Sequence, residues 1–291
     1  MKTLFVPLIF AVLSMVAIAG AQDVVPLYPG VPPGSKQENY PEKQYFSKVW
    51  NEEIIANVTR PTITIFKPSP KLSNGTAMVI VPGGGLMAIS VATEGASVAK
   101  YLAAKGITAI LLKYRIAHTG DDAAQEFAEL SADKPKYDAM LATVAPLAVA
   151  DTLTAMGYAR QHASEWGISP DRVGIIGFSA GGFLAAEVAV HYTPETRPAF
   201  VSVIYGGLQQ DAPVPADAPP MFLAAASDDE LGLTPGSIAL YPKWTAANKL
   251  AELHLYVKGG HGFGMKQQNL PTDHWIDRFT DWLQLEGFLK K

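Results

Sequence analysis

From Pro61 onward, short runs of β-branched and aliphatic residues alternate with stretches of helical periodicity. The runs are Thr62 to Phe66, Met78 to Val81, Ile107 to Leu112, Val173 to Ile176, Phe200 to Tyr205, Met221 to Ala226 and Leu253 to Val257. They are mostly continuous rather than alternating, as in strands covered on both faces. Their separation by helices predicts a mostly parallel central sheet with helices on both sides, an α/β fold. One helix is expected from about Glu94 to Lys105, stopped by Gly106; another places Val149, Leu153 and Met156 on one face and closes at Gly167. Near Asp273 to Leu285, Trp275, Ile276, Phe279, Trp282 and Leu283 share a stripe that reads as core packing.

Two segments depart from this alternation. Pro26 to Gly34 is rich in proline and glycine, and the polar stretch that follows to Arg60 has few periodic apolar positions, so it is expected to lie over the surface. Between Ala117 and Pro146 about 30 residues stand where a strand-to-helix turn takes about 2 to 6, which predicts an insertion or partial lid. Within it, Asp121-Asp122 reads as a solvated turn.

The N-terminus has its own pattern. Lys2 precedes an apolar run from Leu4 to Ala19, broken by Ser14, and Ala19-Gly20-Ala21 resembles a leader-peptidase site before Gln22. The run holds 16 residues, against roughly 20 for a bilayer span, and contains Pro7. A signal peptide over 1–21 and one domain over 22–291 are therefore expected, with the protein secreted or periplasmic. No second stretch reads as membrane-spanning. Composition narrows the classes further. With 23 Lys+Arg against 27 Asp+Glu the net charge is −4, and no basic run offers a nucleic acid its footprint. The chain has no cysteine, which removes disulfides, thiolate metal sites and a cysteine nucleophile together.

The sharpest chemical signal is Gly177-Phe178-Ser179-Ala180-Gly181-Gly182, which follows a predicted strand and precedes the helical pattern Phe183 to Val190. A G-x-S-x-G there reads as a nucleophile elbow, a strained turn that exposes a serine hydroxyl. Such a hydroxyl needs a base, and the base an orienting carboxylate. In this fold class the chain order is serine, acid, histidine, so His118 and His162 drop out. His191, His254 and His274 fall within or at the ends of regular elements. His261 follows the last predicted strand inside Gly259-Gly260-His261-Gly262, a loop able to carry an imidazole over the sheet edge. Asp211 and Asp217 lie in a proline-rich loop, whereas Asp228 and Asp229 directly follow the run Met221 to Ala226, where either could orient His261. A calcium site at Asp228-Asp229-Glu230 is disfavoured because adjacent side chains in an extended turn point apart. The glycines of Val79-Ile80-Val81-Pro82-Gly83-Gly84-Gly85 can turn amides toward an oxyanion, and no phosphate-loop motif is completed there.

These residues resemble the α/β-hydrolases, and among them the secreted bacterial esterases of acetyl xylan esterase and related carbohydrate esterase type. The resemblance runs from about Leu27 to Leu289 and includes the elbow, Gly167-Ile168-Ser169-Pro170-Asp171-Arg172 and Lys258-Gly259-Gly260-His261-Gly262-Phe263-Gly264. It implies Ser179 as nucleophile, His261 as base, Asp228 as acid, and the amides of Gly84 or Gly85 with that of Ala180 as oxyanion hole. Where many relatives carry H-G-G-G, Pro82 stands first. The implied activity is hydrolysis of short-acyl esters, on a small molecule, oligosaccharide or polysaccharide, with no metal or organic cofactor. Leu86 and Met87, next to the glycines, are expected to crowd the acyl side. The alternatives are a prolyl-oligopeptidase-like serine peptidase, disfavoured by the roughly 60 residues that precede the first clear strand, and an inactive carbohydrate-binding relative.

Overall fold

The computed structural model describes residues 23–289 except 36, 37, 39 and 209–211; the segment 1–21 read as a signal peptide and Asp211 lie outside the described residues. In chain order the strands are β1 (Asp23–Pro26), β2 (Lys43–Ser47), β3 (Glu52–Ala56), β4 (Thr62–Phe66), β5 (Ala77–Val81), β6 (Ala88–Ser90), β7 (Thr108–Lys113), β8 (Val173–Phe178), β9 (Val201–Ile204), β10 (Met221–Ala226) and β11 (Ala251–Tyr256). The helices are α1 (Ser97–Ala104), α2 (Ala123–Ala132), α3 (Lys134–Gln161), α4 (Ala163–Trp166), α5 (Ala180–His191), α6 (Thr234–Ala246) and α7 (Trp275–Leu285).

Eight strands form one sheet in the order β1-β4-β7-β5-β8-β9-β10-β11, and the six from β7 to β11 run parallel. The continuous apolar runs have the physical cause expected of them. Along β5, Val79 and Val81 pack into the cluster that includes Ala148 of α3, Leu184 of α5 and Trp244 of α6. Met78 and Ile80 face Leu102 of α1 and Trp275 and Phe279 of α7. Successive residues point to opposite faces, and both faces are covered.

Three expectations are corrected or filled in. The segment 26–60 is not merely draped over the surface. β1 pairs with β4, and β2 and β3 join β6 in a separate antiparallel sheet whose Ile54 and Ala56 pack against Ala123 and Ala124 of α2. Residues 117–146 are largely helical, comprising α2 and the first half of α3, with Pro146 inside the helix. Asp122 is the N-cap of α2, its carboxylate accepting from the amides of Ala124 and Gln125. Finally, α3 is long and apolar enough to cross a membrane by length and composition alone. It packs instead against α5, β5 and β8, and its buried Asp151 accepts hydrogen bonds from Arg115 and Tyr28.

Candidate active site

The loops after β5, β8, β10 and β11 meet at the carboxyl edge of the parallel strands, where open α/β sheets build their sites. Ser179 joins β8 to α5 with φ 52° and ψ −118°. A positive φ in a residue with a side chain costs about 1 to 3 kcal/mol and persists only where the surroundings impose it. Here the backbones impose it by close approach. A Cβ on Gly177 would collide with the carbonyl of Gly181, and one on Gly181 with the carbonyl of Val81. The turn therefore accepts only glycine two positions before and two positions after the serine.

The serine hydroxyl lies 2.8 Å from Nε2 of His261, and Nδ1 of His261 lies 2.9 Å from Oδ2 of Asp229. Asp229, not Asp228, completes the chain of contacts. The Asp229 side chain is fully buried and that of His261 is 11% exposed, whereas Asp228 turns away and accepts from the Gly260 amide at 2.8 Å. The third carboxylate of the loop, Glu230, accepts from the His261 amide at 2.9 Å. Asp228, Asp229 and Glu230 thus grip one short segment of the histidine loop from three directions. Burial works to raise the Asp229 pKa, but hydrogen bonding and charge from His261 and the amides of Leu231 and Leu233 outweigh it and leave the carboxyl below its usual range. The remaining histidines have partners elsewhere. His118 packs on Tyr40 and His162 on Tyr158, while His191, His254 and His274 pair with Glu187, Glu252 and Asp277.

The glycine loop after β5 divides its amides. Gly83 donates to Oε2 of Glu94 at 2.7 Å and is occupied. Among the described residues none accepts from the amides of Gly84 or Gly85, which have φ of 130° and 63°. Ala180 is the first residue of α5, where the amide has no intrahelical acceptor and the helix dipole favours negative charge. These three donors are free to meet an oxyanion beside Ser179. Among the described residues no group of three or more His, Asp or Glu side chains could hold a metal ion.

Two chambers open from Ser179. One, of about 490 Å³, is lined by Trp50, Glu52, Ser90, Glu94, Glu230 and Lys266. The other, of about 580 Å³, is lined by Leu86, Tyr137, Phe183, Leu208, Leu231 and Leu233. Phe127 of α2 borders both, and Trp50, Phe127 and Tyr137 make successive edge-to-face contacts with 5.9 Å between ring centroids. Leu86 faces the second chamber, but Met87 does not: Leu86 has φ 57°, and Met87 lines a separate concavity with His118 and Glu126. The residues that sequence reasoning missed are Glu94, Tyr205, Glu52 and Lys266. One signal was present: Glu94 is the single charged residue between Lys71 and Lys100.

Comparison with known proteins agrees with this architecture. A family model described as alpha/beta hydrolase fold matches residues 134–241. An acetylxylan esterase from Xylanibacter ruminicola is 26% identical over 247 residues, or 74% of this chain, and the chain spans about half the length of that relative, 46% of it. The structure of an acetyl ester-xyloside bifunctional hydrolase from Caldicellulosiruptor lactoaceticus superposes with a TM-score of 0.67 at 20% identity, covering 94% of this chain and 99% of that one. An alpha/beta hydrolase enzyme, MGS-M1, from a Medee basin deep-sea metagenome library gives a TM-score of 0.66 at 22% identity, covering 93% and 98%.

Proposed function

We propose that this chain, which has the α/β-hydrolase fold, is a serine carboxylic ester hydrolase that cleaves short-acyl esters, above all acetyl esters of carbohydrate. The observation that carries the reading is the continuous Ser179–His261–Asp229 contact chain beside unpaired amides. His261 Nε2 takes the hydroxyl proton as Ser179 Oγ attacks the ester carbonyl, while buried Asp229 holds Nδ1–H and balances the imidazolium. The amides of Ala180 and of Gly84 or Gly85 receive the oxyanion. His261 then protonates the leaving alcohol, later draws a proton from the water that attacks the acyl-serine, and returns it to Ser179 Oγ as the carboxylic acid departs. Every proton in this cycle is carried by groups of the chain.

The carbohydrate part rests on the polar chamber. Trp50 offers a sugar an apolar face, while Glu52, Glu230 and Lys266 offer partners for hydroxyls. That assignment leaves the acyl group to the chamber behind Leu86. The resemblance to an acetylxylan esterase points the same way. Export, with a mature chain beginning near Gln22, would place the enzyme among extracellular polysaccharides; N-terminal sequencing of the exported protein tests it.

The functional test is a set of initial rates on p-nitrophenyl acetate, butyrate and octanoate, with acetate release from acetylated xylan. Acetate should be the best acyl group if Leu86 crowds the part of the chamber beside Ser179. A preference for octanoate would assign the apolar chamber to long acyl chains and overturn the short-acyl reading. Cleavage of proline-linked anilides without ester hydrolysis would overturn the esterase reading itself.

A further inference from the structure

Behind the reacting groups lies a second buried carboxylate that the acyl-transfer cycle does not use. Glu94 sits in a π turn, Ala92–Ala96, a helical irregularity often associated with functional sites. Only 4% of it is exposed. Its Oε2 accepts from the Gly83 amide at 2.7 Å, and its Oε1 accepts from the Tyr205 hydroxyl at 2.8 Å. The Tyr205 oxygen in turn accepts from the Gly264 amide at 3.0 Å, and the Tyr205 ring lies edge-on to His261 at 5.0 Å. The carbonyl of Thr93 accepts from Met265, a further tie between the same turn and the histidine loop. Tyr205 has φ 41°, so its backbone is held in a region that side chains disfavour.

We propose that Glu94, with Tyr205, is a positioning residue that locks the glycine loop bearing the oxyanion donors to the loop bearing His261, and lends the imidazolium a second negative charge. The hydrogen bonds favour the charged form, since each carboxyl oxygen faces a donor. Tyr205 accepts from Gly264 and donates to Glu94, and Gly83 also donates, so both carboxyl oxygens serve as acceptors. With Gly83 occupied, the amides of Gly84 and Gly85 remain free for substrate. The titratable groups facing Glu94 are Glu52 on β3, Tyr114 after β7, Tyr205 after β9, and His261 and Lys266 on the histidine loop. Burial first, and the neighbouring Glu52 charge second, raise the Glu94 pKa, while Tyr205, Gly83 and His261 oppose the rise. Those three partners are what work against burial in favour of the charged carboxylate.

This inference rests on the esterase reading, so wild type and Ser179→Ala are measured beside Glu94→Gln and Tyr205→Phe on p-nitrophenyl acetate. Glu94→Gln keeps the shape and can still accept from Gly83, but it removes the charge and turns an amide NH₂ toward the Tyr205 oxygen. Its kcat should fall at least tenfold with KM within about twofold, and the acid limb of kcat/KM should move to lower pH because the imidazolium loses a stabilising charge. Tyr205→Phe, which deletes one hydroxyl, should lower kcat by a smaller factor. The double variant should cost less than the product of the two single effects. A Glu94→Gln enzyme that melts earlier but keeps the wild-type kcat and pH profile would overturn the proposal and leave Glu94 a purely structural buried acid. If Glu94→Gln fails to fold, Tyr205→Phe decides: unchanged kcat there overturns the coupling. A wild type without ester turnover would instead sink the esterase reading.

Discussion

Asp228→Asn and Asp229→Asn are one residue apart and chemically identical, yet they should differ by orders of magnitude. At position 229 the carboxylate meets His261 Nδ1 at 2.9 Å inside the protein, so it fixes the tautomer in which Nδ1 carries hydrogen and Nε2 is free to accept from Ser179. An asparagine can turn its amide NH₂ toward Nδ1, which favours the opposite tautomer, with Nε2–H pointing at the nucleophile. It also removes the charge that balances the imidazolium. The analogous change in a serine protease costs about 10⁴ in kcat, or about 5.4 kcal/mol at 1.36 kcal/mol per decade. At position 228 the exposed carboxylate accepts only from the Gly260 amide, and the Asn side-chain oxygen can still do so. The expected loss there is less than about tenfold, in line with an exposed hydrogen bond of about 0.5 to 1.5 kcal/mol. Initial rates on p-nitrophenyl acetate, with thermal melting to verify folding, give the ratio directly. Equal losses, or a larger loss at 228, would refute the assignment of Asp229.

Other outcomes follow from the same geometry. Ser179→Ala should abolish both turnover and covalent labelling by a fluorophosphonate, read by intact-protein mass spectrometry. Gly181→Ala should destroy the elbow, since its Cβ would strike the Val81 and Pro82 carbonyls, and should lower the melting temperature as well as activity. Asp151→Ala, which strands the buried Arg115 guanidinium, should cost about 3 to 5 kcal/mol in denaturant unfolding while leaving the site chemistry intact in the folded fraction. Because the folded Asp229 pKa lies below its unfolded value, its ionised form stabilises the fold above the usual carboxylate range. That contribution should fade as pH falls below about 4, so wild type should lose melting temperature there faster than Asp229→Asn.

The parallel sheet was legible because its strands are buried on both faces and announce themselves as apolar runs. The elbow and His261 were legible because glycine spacing and chain order constrain them. The acid was not, since Asp228 and Asp229 share one turn and only side-chain direction separates them. Glu94 escaped for a related reason: its partners, Gly83 and Tyr205, lie 11 and 111 residues away, and no local spacing encodes that meeting. The small sheet of β2, β3 and β6 was hidden because it pairs polar-looking strands, with Glu52 buried under the hydroxyls of Ser90 and Thr93. In α3, Pro146 reads as a break, but tertiary packing carries the helix through it.

The three-carboxylate grip on the histidine loop bears on how this molecule can be altered. Asp228, Asp229 and Glu230 address Gly260 N, His261 Nδ1 and His261 N in register, so a one-residue insertion in either loop would misalign all three at once. The two loops behave as a matched plug and socket. Loop grafting between scaffolds should succeed only when both are moved together, and a library that randomises one alone should return chiefly inactive clones.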